Sequence, residues 1–423
     1  MKKIFRNIFY ILILFLSPII LVIYWCTYLF PRNKNKWVFG AWKGLSYSDN
    51  PRYLFEYISK NHSECSAIWI SKNKDIVKKI RGLGYKSYYA YSLSGIWHQL
   101  SAKNIVVCTD HKSLNDLVAI FINKKARLIQ LWHGIGLKKI EYDNKYCNND
   151  LLACWYFRLY GFIFTRLLMK LFLPYLCQRV DMLPVTSKKM QDIFIKAFRL
   201  PKEIMPILGT PRASILLDKK YSKRLKKSGS KSGSKLNKRI LYAPTFRSIS
   251  QDKNNKADIK ASGYLPSIQV LEKIDILMQK LNANFVIRLH PRDKDKLSLF
   301  DLTKFSNIQI DNIQDMQLSL LETDILITDY SSGYFDYLLL NRPIIFAPFD
   351  LDSYLSQERG FYFDYDSHTP GEKALNWDEL LSCMENSVNG PDNYKKQRQK
   401  LCKEFFEYID GKDLERIFNK LRL

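Results

Sequence analysis

Two arginines and a histidine follow a short apolar run in the second half of the chain. Residues 285–292 read FVIRLHPR, so Arg288, His290 and Arg292 stand at the end of a predicted strand. A guanidinium group can hold phosphate oxygens through two parallel hydrogen bonds, and a protonated imidazole can neutralise charge on a departing phosphate. A single histidine at a strand end is more often structural, but a proline-fixed turn and two arginines accompany this one. The segment therefore predicts a phosphate-binding strand end.

A second histidine follows an apolar run in the first half of the chain. His133 directly follows the run 128–132, within the sequence WHGIGLKK. The same sequence also brings Lys138 close to this strand end. The two glycines allow close approach of the backbone, and an imidazole that titrates near neutral pH is a natural general base for a hydroxyl nucleophile. A histidine packed beside a tryptophan explains the same residues equally well. The residues alone leave both interpretations open.

Hydroxyl groups follow a third apolar run. Residues 324–336 read DILITDYSSGYFD, in which a predicted strand runs through Asp329 into Ser331 and Ser332 and then into a helix. Serine hydroxyls and backbone N–H groups at the beginning of a helix favour phosphate. Asp336 lies one helical turn beyond Ser332, where its carboxylate can accept hydrogen bonds from ribose hydroxyls. Simple capping of the helix by serine is the competing explanation.

Two further strand ends carry the same kinds of residue. The sequence YAPTFR at 242–247 adds Thr245 and Arg247, and the sequence GTPR at 209–212 adds Arg212. Each of these is weak alone, because a turn with proline and arginine needs no ligand. Together, four basic or hydroxylated strand ends in one half of the chain predict an edge that binds an anion.

Parallel strands are the elements that can bring these residues together. Short apolar runs separated by helix-length segments predict two series of strands, at 37–42, 67–71, 104–109 and 127–132, and at 239–244, 285–290, 324–328 and 343–347. This pattern predicts an α/β protein with two Rossmann-like domains that face each other across a cleft, where ligands bind at the carboxyl ends of the strands. The predicted domains are 37–205 and 206–390, followed by C-terminal helices at 391–423.

The composition narrows the class of partner. A chain of 423 residues is long enough for two domains, and its net charge of +25 indicates an anionic partner. The eight cysteines include no C-x-x-C pair, which suits reduced thiols in the cytosol, and no zinc-site spacing is present. Two Asp-x-Asp tripeptides, at 350–352 and 364–366, are a weak metal signal. Because fixed cations already stand at the predicted site, the sequence predicts neither a metal nor a cofactor.

Three segments suggest contact with a membrane. Residues 8–30 are almost uncharged and long enough to cross a bilayer, so residues 1–36 are predicted to form a membrane anchor with a basic flank. A cleaved signal peptide is disfavoured, because the run is too long and no small-x-small site precedes Pro31. Residues 151–173 predict a membrane-surface helix or a buried helix with one solvated edge. The basic loop 219–239 predicts attachment to anionic lipid or a tolerated linker.

In their order along the chain, these motifs resemble the CDP-glycerol glycerophosphotransferase family of teichoic acid and capsule synthesis. The resemblance covers roughly residues 37–375. Its carriers are LWHGIGLKK (131–139), GTPR (209–212), YAPTFR (242–247), RLHPR (288–292), TDYSSGYFDY (328–337), PIIFAPFDLDSY (343–354) and RGFYFDYD (359–366). The family usually has proline where Gly136 stands, and an Asn-Asp pair where Ala213 and Ser214 follow the GTPR motif.

The resemblance implies a fold of the GT-B type and a transfer reaction. An acceptor hydroxyl would attack the β-phosphorus of CDP-glycerol or CDP-ribitol, and CMP would leave. His133 and His290 would be the two essential imidazoles, with His133 as the base. The predicted substrate-binding residues are Lys138, Arg212, Thr245, Arg247, Arg288, Arg292, Asp329, Ser331, Ser332 and Asp336. The acceptor would be a lipid-linked glycan or teichoic acid, and the body would lie on the cytoplasmic face of the cell membrane, because CDP-polyols are cytosolic.

Two other functions are compatible with parts of this pattern. A nucleotide-sugar glycosyltransferase of the same fold would share the serine-rich turn and Asp336 but would attack a sugar carbon. A non-catalytic basic membrane protein that binds nucleic acid or an anionic polymer would show salt-sensitive binding without turnover. The second alternative leaves the strand-end motifs unexplained, and no nucleic-acid partner is predicted.

Overall fold

The computed structural model describes most of the chain. The described residues are 18–19, 21–109, 116–144, 180–218, 237–247, 263–290, 293, 296, 301–313, 315–357 and 360–422. The predicted membrane-surface helix 151–173, residues 219–236 of the predicted basic loop, and Arg292 lie outside them. Within these ranges, no helix combines the length and the apolar character that crossing a membrane requires.

The N-terminal domain is built on a sheet of five parallel strands. These are β1 (Asn33–Phe39), β2 (Ser66–Ser71), β3 (Ser87–Tyr89), β4 (Ala102–Val107) and β5 (Arg127–Gln130), in the spatial order β3-β2-β1-β4-β5. Its helices are α1 (Asp49–Asn61), α2 (Lys74–Gly82), α3 (Leu93–Ser101), α4 (Lys188–Phe198) and α5 (Pro211–Leu217). Helices between consecutive strands are the connections that parallel pairing requires.

The C-terminal domain is built on a second parallel sheet. Its strands are β6 (Lys238–Tyr242), β7 (Ala283–Ile287), β8 (Ile308–Ile310), β9 (Ile325–Thr328), β10 (Ile344–Phe346) and β11 (Glu372–Lys373), in the order β11-β10-β9-β6-β7-β8. The helices that follow β6 are α6 (Ile268–Leu281), α7 (Met316–Glu322), α8 (Gly333–Leu338), α9 (Leu351–Gln357), α10 (Tyr365–His368), α11 (Trp377–Asn389), α12 (Lys395–Phe405) and α13 (Asp413–Arg422). Short 3-10 turns lie at Thr27–Leu29, Trp42–Gly44, Ala119–Phe121, Glu141–Asp143, Lys202–Ile204 and Leu302–Lys304.

Sequence patterning explains where these elements form. Several helices begin after a residue whose side-chain oxygen accepts a hydrogen bond from the first turn, namely Asn73, Ser92, Ser187, Ser267, Asp315 and Asn376. Along β1, Trp37 and Phe39 enter one core cluster and Val38 enters another, because successive strand residues point to opposite faces. The predicted α/β architecture with two parallel sheets is confirmed.

The two domains share a core and direct contacts. One buried cluster contains Val38 of the first sheet and Leu326 of the second, so apolar packing is continuous between the domains. Tyr53 Oη donates to Asp315 Oδ1 at 2.6 Å, which links α1 to the beginning of α7. The backbone after β5 also meets the C-terminal domain, since Lys139 N donates to the carbonyl of Gly360 at 2.8 Å.

The last helix returns to the N-terminal domain. Ile417, Phe418 and Leu421 of α13 are buried in the same cluster as Trp37, and the Arg127 guanidinium donates to the carbonyl of Leu421 at 2.6 Å. α13, which falls in the segment 391–423 that was predicted only as C-terminal helices, therefore completes the core beneath β1.

The end of the predicted anchor belongs to the folded domain. Tyr24 and Thr27 are buried, Lys124 N donates to Thr27 Oγ1 at 3.2 Å, and Asn123 Nδ2 donates to the carbonyl of Phe30 at 3.1 Å. These contacts hold residues 24–30 of the predicted run 8–30 on the N-terminal domain. Residues 1–17 and 20 lie outside the described ranges, so an anchor there stays a prediction.

Candidate active site

The predicted site residues follow the carboxyl ends of parallel strands. His133 follows β5, Thr245 follows β6, Arg288 follows β7 and Asp329 follows β9. Parallel strands place these ends at one edge of each sheet, and ligands of open α/β sheets bind at such edges. The backbone contact between the segment after β5 and Gly360 brings the two edges toward each other.

His133 is held in one orientation. Its Nδ1 lies 2.9 Å from the carbonyl oxygen of Cys108, at the end of β4. A carbonyl oxygen only accepts, so Nδ1 carries the hydrogen, and the neutral imidazole has its basic lone pair on Nε2. The rings of Trp42 and Trp132 flank the imidazole, with centroids 5.2 and 4.2 Å away. The side chain is therefore packed beside a tryptophan and held with Nε2 as its basic nitrogen.

The backbone around His133 adopts left-handed conformations. Trp132 has a φ of 52°, and Gly134 has a φ of 148°. A Cβ atom at Gly134 would lie 2.6 Å from Nη2 of Arg212, so close approach of this guanidinium requires glycine there. Left-handed backbone at a tryptophan costs on the order of 1 to 3 kcal/mol, and such strain persists only where the surroundings impose it.

Asp116 organises the loops that hold His133. Its carboxylate accepts hydrogen bonds from the backbone N–H groups of Lys43 at 2.7 Å, Cys108 at 2.8 Å and Thr109 at 2.9 Å. These contacts fix the segments after β1 and β4, including the peptide whose carbonyl binds His133. Sequence reasoning missed Asp116, because one aspartate in an irregular segment carries no recognisable pattern.

Arg212 joins the two domains beneath His133. Its buried guanidinium donates from Nη1 to the carbonyl of His133 at 2.7 Å, and Nη2 lies 2.9 Å from Asp336 Oδ2 in α8. Asp49 lies 3.7 Å from the same guanidinium. Arg212 and Asp336 were both predicted to contact substrate, but the structure pairs them with each other.

Asn50 completes this connection. Its Oδ1 accepts from the backbone N–H of Arg212 at 3.0 Å, and its Nδ2 donates to the carbonyl of Trp132 at 2.9 Å. The loop after β5 and the beginning of α5 are thus fixed by one buried amide. No local sequence pattern pointed to Asn50, since its role depends on two distant backbone groups.

Arg247 forms a buried ion-pair cluster at the ends of β6, β9 and the segment after β10. Its Nη2 lies 2.8 Å from Asp329 Oδ2, while Nε and Nη2 donate to the two oxygens of Asp350 at 2.7 and 2.8 Å. Thr245 N donates to Asp329 Oδ1 at 2.8 Å. Burial alone would raise the pKa of Asp329, but Arg247 and the Thr245 N–H lower it, so this carboxyl is charged.

The segment after β7 holds one paired arginine and one exposed imidazole. Arg288 donates to Asp311 Oδ2 and to the carbonyl of Ile313, both at 2.6 Å. The exposed His290 ring lies 5.4 Å from the ring of Phe246, which follows β6. Arg288 and His290 therefore lie together at the end of β7, and Phe246 lies at the neighbouring end of β6.

The two serines after β9 differ in their hydrogen bonds. Ser331 Oγ accepts from the backbone N–H of Gly333 at 3.2 Å, whereas the side chain of Ser332 does not cap α8. The helix has only six residues, so its dipole is short and any anion would depend on local N–H and hydroxyl groups. Neither serine therefore caps α8 in the usual way, in which the side chain of the residue before the helix accepts a hydrogen bond from its first turn.

Lys138 lies against the C-terminal domain. Its backbone pairs with Phe361 in an antiparallel bridge, and its Nζ lies 5.2 Å from the ring centroid of Tyr354. Burial raises the pKa of Asp329, and Arg247 and Thr245 lower it. The charge of Lys138 lowers it further, by a smaller amount. Lys138 therefore brings a cation from the first domain to the second.

The metal alternative finds no support at the Asp-x-Asp tripeptides. Asp350 binds Arg247, and Asp364 accepts from the N–H of Ser367 at 3.0 Å. In the part of the chain that the structure describes, no three His, Cys, Asp or Glu side chains are grouped closely enough to hold a metal ion.

Substitution of Asp336 by asparagine tests the charge state of its pair with Arg212. Burial raises the pKa of Asp336 from 3.8 to about 6, although Arg212 opposes this shift. Between these values the folded protein binds a proton that the unfolded chain does not, so the carboxyl adds stability as the pH falls. Relative to Asp336→Asn, the wild-type free energy of unfolding should rise by roughly 1 to 3 kcal/mol between pH 7 and pH 4.

Urea unfolding at several pH values measures this difference. Exposed Asp378 in α11 provides the matched control, and Asp378→Asn should show no comparable pH-dependent difference from wild type. If the free energy of unfolding of wild type, relative to Asp336→Asn, stays constant or falls on acidification, Asp336 remains charged beside Arg212.

Comparisons with known proteins indicate the family to which the chain is related. The family model described as CDP-Glycerol:Poly(glycerophosphate) glycerophosphotransferase matches residues 22–423. A teichoic acid poly(glycerol phosphate) polymerase of Staphylococcus epidermidis is 30% identical over 79% of this chain and 43% of its own length. A protein of the same description from Bacillus spizizenii is 28% identical over 85% of this chain and 86% of its own. A teichoic acid glycerol-phosphate transferase of Staphylococcus aureus is 28% identical over 91% of this chain and 92% of its own length.

Solved structures show the same fold. The wall teichoic acid polymerase TagF superposes with a TM-score of 0.75 at 23% identity, over 99% of this chain and 96% of that one. A UDP-GlcNAc 2-epimerase from Neisseria meningitidis, at 12% identity, has a TM-score of 0.50. The predicted GT-B architecture is therefore confirmed as TagF-like, and the family suggested by the motifs is confirmed by a match over almost the whole chain. The chain belongs to the CDP-glycerol:poly(glycerophosphate) glycerophosphotransferase family.

Proposed function

We propose that this protein transfers glycerol phosphate, or a similar polyol phosphate, from a CDP-activated donor to a hydroxyl group of a lipid-linked polymer. The acceptor oxygen forms a bond to the β-phosphorus, the bond from that phosphorus to the bridging oxygen breaks, and CMP leaves with the electron pair. The product is one unit longer, in teichoic acid or capsule synthesis. Family membership and the relatives' activities in teichoic acid synthesis support this proposal.

The fixed tautomer of His133 is the observation that supports its role as the base. With Nδ1 donating to the carbonyl of Cys108, Nε2 is the atom available to take the acceptor's proton. The hydrogen bond to Cys108 also stabilises the imidazolium that results. Flanking by Trp42 and Trp132 restricts rotation of the ring, so the base is aligned before substrate binds.

The donor diphosphate is assigned to the edge of the second sheet. Arg288 and His290 after β7, together with Ser331 and Ser332 after β9, supply cations and hydroxyl groups at two strand ends that lie on either side of β6. Lys138 approaches from the first domain. These groups would neutralise charge on the departing CMP without a metal ion. Arg292, predicted as a further contact, lies outside the described residues.

A second set of predicted residues is assigned a positioning role. Arg212 and Asp336 bind each other, and Arg247 binds Asp329 together with Asp350. Their charges are already satisfied within the protein, as the buried position of each guanidinium requires. Thr245, whose backbone donates to Asp329, belongs to the same set. These residues fix the strand ends rather than contact phosphate.

A lipid-linked acceptor places the reaction at a membrane. CDP-polyols are cytosolic, so the body of the protein is assigned to the cytoplasmic face of the cell membrane. A direct assay incubates the full chain with CDP-glycerol and a lipid-linked acceptor, and measures CMP release and the mass of the product. Release of UDP from a UDP-sugar, without release of CMP, would overturn the proposal in favour of a sugar transferase.

Ligand-dependent thermal stability should reveal the nucleotide preference. A ligand that binds only the folded state stabilises it by mass action, so CDP or CMP should raise the melting temperature more than UDP at equal concentration. His290→Ala should reduce the increase produced by CDP, whereas the exposed substitution Lys396→Ala on α12 should not change it. Equal or greater stabilisation by UDP would contradict cytidine specificity.

A further inference from the structure

An exposed surface beside the beginning of β1 combines aromatic rings with lysines. We call it the aromatic-lysine face, and it consists of Trp25, Tyr28, Phe30, Trp97, Lys124 and Lys125. The rings of Trp25, Tyr28 and Trp97 are each almost half exposed, at 48%, 47% and 47%. Isolated exposed apolar residues need no explanation, but a contiguous group of large ones marks a contact surface.

Direct contacts show that the face is contiguous. Lys124 Nζ lies 2.9 Å from the ring centroid of Trp25, and Lys125 Nζ lies 3.6 Å from that of Tyr28. On the other side, the rings of Phe30 and Trp97 are 6.3 Å apart. The hydrogen bond from Asn123 to Phe30 joins the two halves.

The neighbouring surface extends the apolar area along α3 and the preceding turn. Leu93 precedes Trp97 by one helical turn, so both lie on the same side of α3, and Leu93 is 89% exposed. Leu29, next to Tyr28, is 80% exposed. Apolar side chains of this size would remain in water unless something covers them.

The chain segments that build the face carry charge of one sign. The segments 18–36, 91–104 and 119–127, which build this region, contain seven Lys or Arg residues and no Asp or Glu. A face of one sign disfavours its association with an identical copy, because like charges would be brought together. The aromatic-lysine face suits a partner with anionic groups at its surface and an apolar layer beneath them.

We propose that the aromatic-lysine face rests on the interfacial region of a bilayer that contains anionic lipid. Tryptophan and tyrosine concentrate at the boundary between headgroups and acyl chains, because one part of each ring system is apolar and the other forms hydrogen bonds. Lysine side chains can extend their ammonium groups to lipid phosphates while their stems lie along the apolar surface. This inference is independent of the residues assigned to the reaction.

The folded residues 24–30 give the proposal its geometry. Tyr24 and Thr27 pack into the domain, so Trp25 and Tyr28 are held on it rather than carried on a free segment. Trp97 belongs to α3, which is distant in sequence. Contact of Trp97 with lipid would therefore report that the domain itself, and not only the segment before it, lies on the membrane.

Quenching of tryptophan fluorescence by lipid provides the test. The full chain is reconstituted in vesicles of phosphatidylcholine and phosphatidylglycerol whose acyl chains carry bromine. Trp97→Phe should remove part of the quenchable emission, whereas Trp377→Phe in α11 of the second domain should not. An unchanged quenched fraction in Trp97→Phe would overturn the proposal.

Charge reversal tests the role of the lysines. Lys124→Glu with Lys125→Glu should lower the quenched fraction of Trp97 at low salt, whereas Lys396→Glu with Lys400→Glu on exposed positions of α12 should leave it unchanged. Equal quenching of wild type in vesicles of phosphatidylcholine alone would overturn the anionic-lipid part. If the Lys124 and Lys125 reversal instead changes the oligomeric state without changing quenching, the face contacts a second copy and the membrane proposal fails.

Discussion

Replacement of His133 by alanine should lower turnover by roughly a hundred- to ten-thousand-fold, the range that loss of a general base produces. Donor binding should change little, because Nε2 receives a proton only as the acceptor attacks. Single-turnover measurements with CDP-glycerol give the rate, and calorimetric titration with CDP gives the affinity. A variant with nearly wild-type turnover would exclude His133 as the base.

His133→Asn separates catalysis from positioning. The asparagine amide can still donate to the carbonyl of Cys108, as Nδ1 of the imidazole does. If His133 is the base, the asparagine variant should be as slow as the alanine variant. Recovery of turnover by asparagine would show that the imidazole acts by holding the loop.

His290→Ala is the comparison on the donor side. A diphosphate contacts this residue both before and during the reaction, so its loss should weaken CDP binding as well as turnover. His290→Ala is therefore expected to lower both CDP affinity and turnover, whereas His133→Ala is expected to lower mainly turnover. If His133→Ala weakened donor affinity alone, His133 would join the phosphate-binding set.

Arg247→Met should destabilise the fold by about 3 to 5 kcal/mol, which is the usual cost when one partner of a buried ion pair is removed. The substitution leaves Asp329 and Asp350 close together without their shared cation. Urea unfolding measures the loss. Lys280→Met is the matched control, because Lys280 pairs with Glu385 on the exposed surface, and it should cost less than about 1 kcal/mol.

The loss should depend on pH in a defined direction. Arg247 helps to keep the pKa of Asp329 below its ordinary value, so without it the pKa of this buried carboxyl should rise. The folded variant would then take up a proton as the pH falls, and the deficit relative to wild type should shrink toward pH 4. Adding Asp329→Asn to Arg247→Met should recover part of the stability at pH 7. A deficit independent of pH would indicate lost packing rather than lost charge.

Apolar runs predicted the positions of the central strands, because a strand covered on both faces has a nearly continuous apolar sequence. Each predicted strand was found, with its end a few residues earlier in several cases, as at β1 and β7. The edge strands β3, β8 and β11 were not predicted. They have only three, three and two residues, which is too few to form a pattern.

The residue types at the strand ends were visible in the sequence, but the partners of the charged residues were not. Arg212 and Arg247 have the residue type that binds phosphate, and the same type forms buried ion pairs. Which of the two occurs depends on whether a carboxylate from a distant segment reaches the guanidinium. Asp336 is 124 positions from Arg212, so no local spacing could indicate their contact.

A strand of the first sheet also sets the distance between the aromatic-lysine face and His133. β4 begins beside the aromatic-lysine face and ends next to Cys108, whose carbonyl binds His133. Six residues of extended chain span on the order of 20 Å. With the face on a bilayer, the base would stand that far above the headgroups, and an acceptor would have to bridge the gap before its terminal hydroxyl could react. Short acceptors would then be extended slowly and longer ones faster, so the distribution of product lengths would show a lag followed by rapid growth.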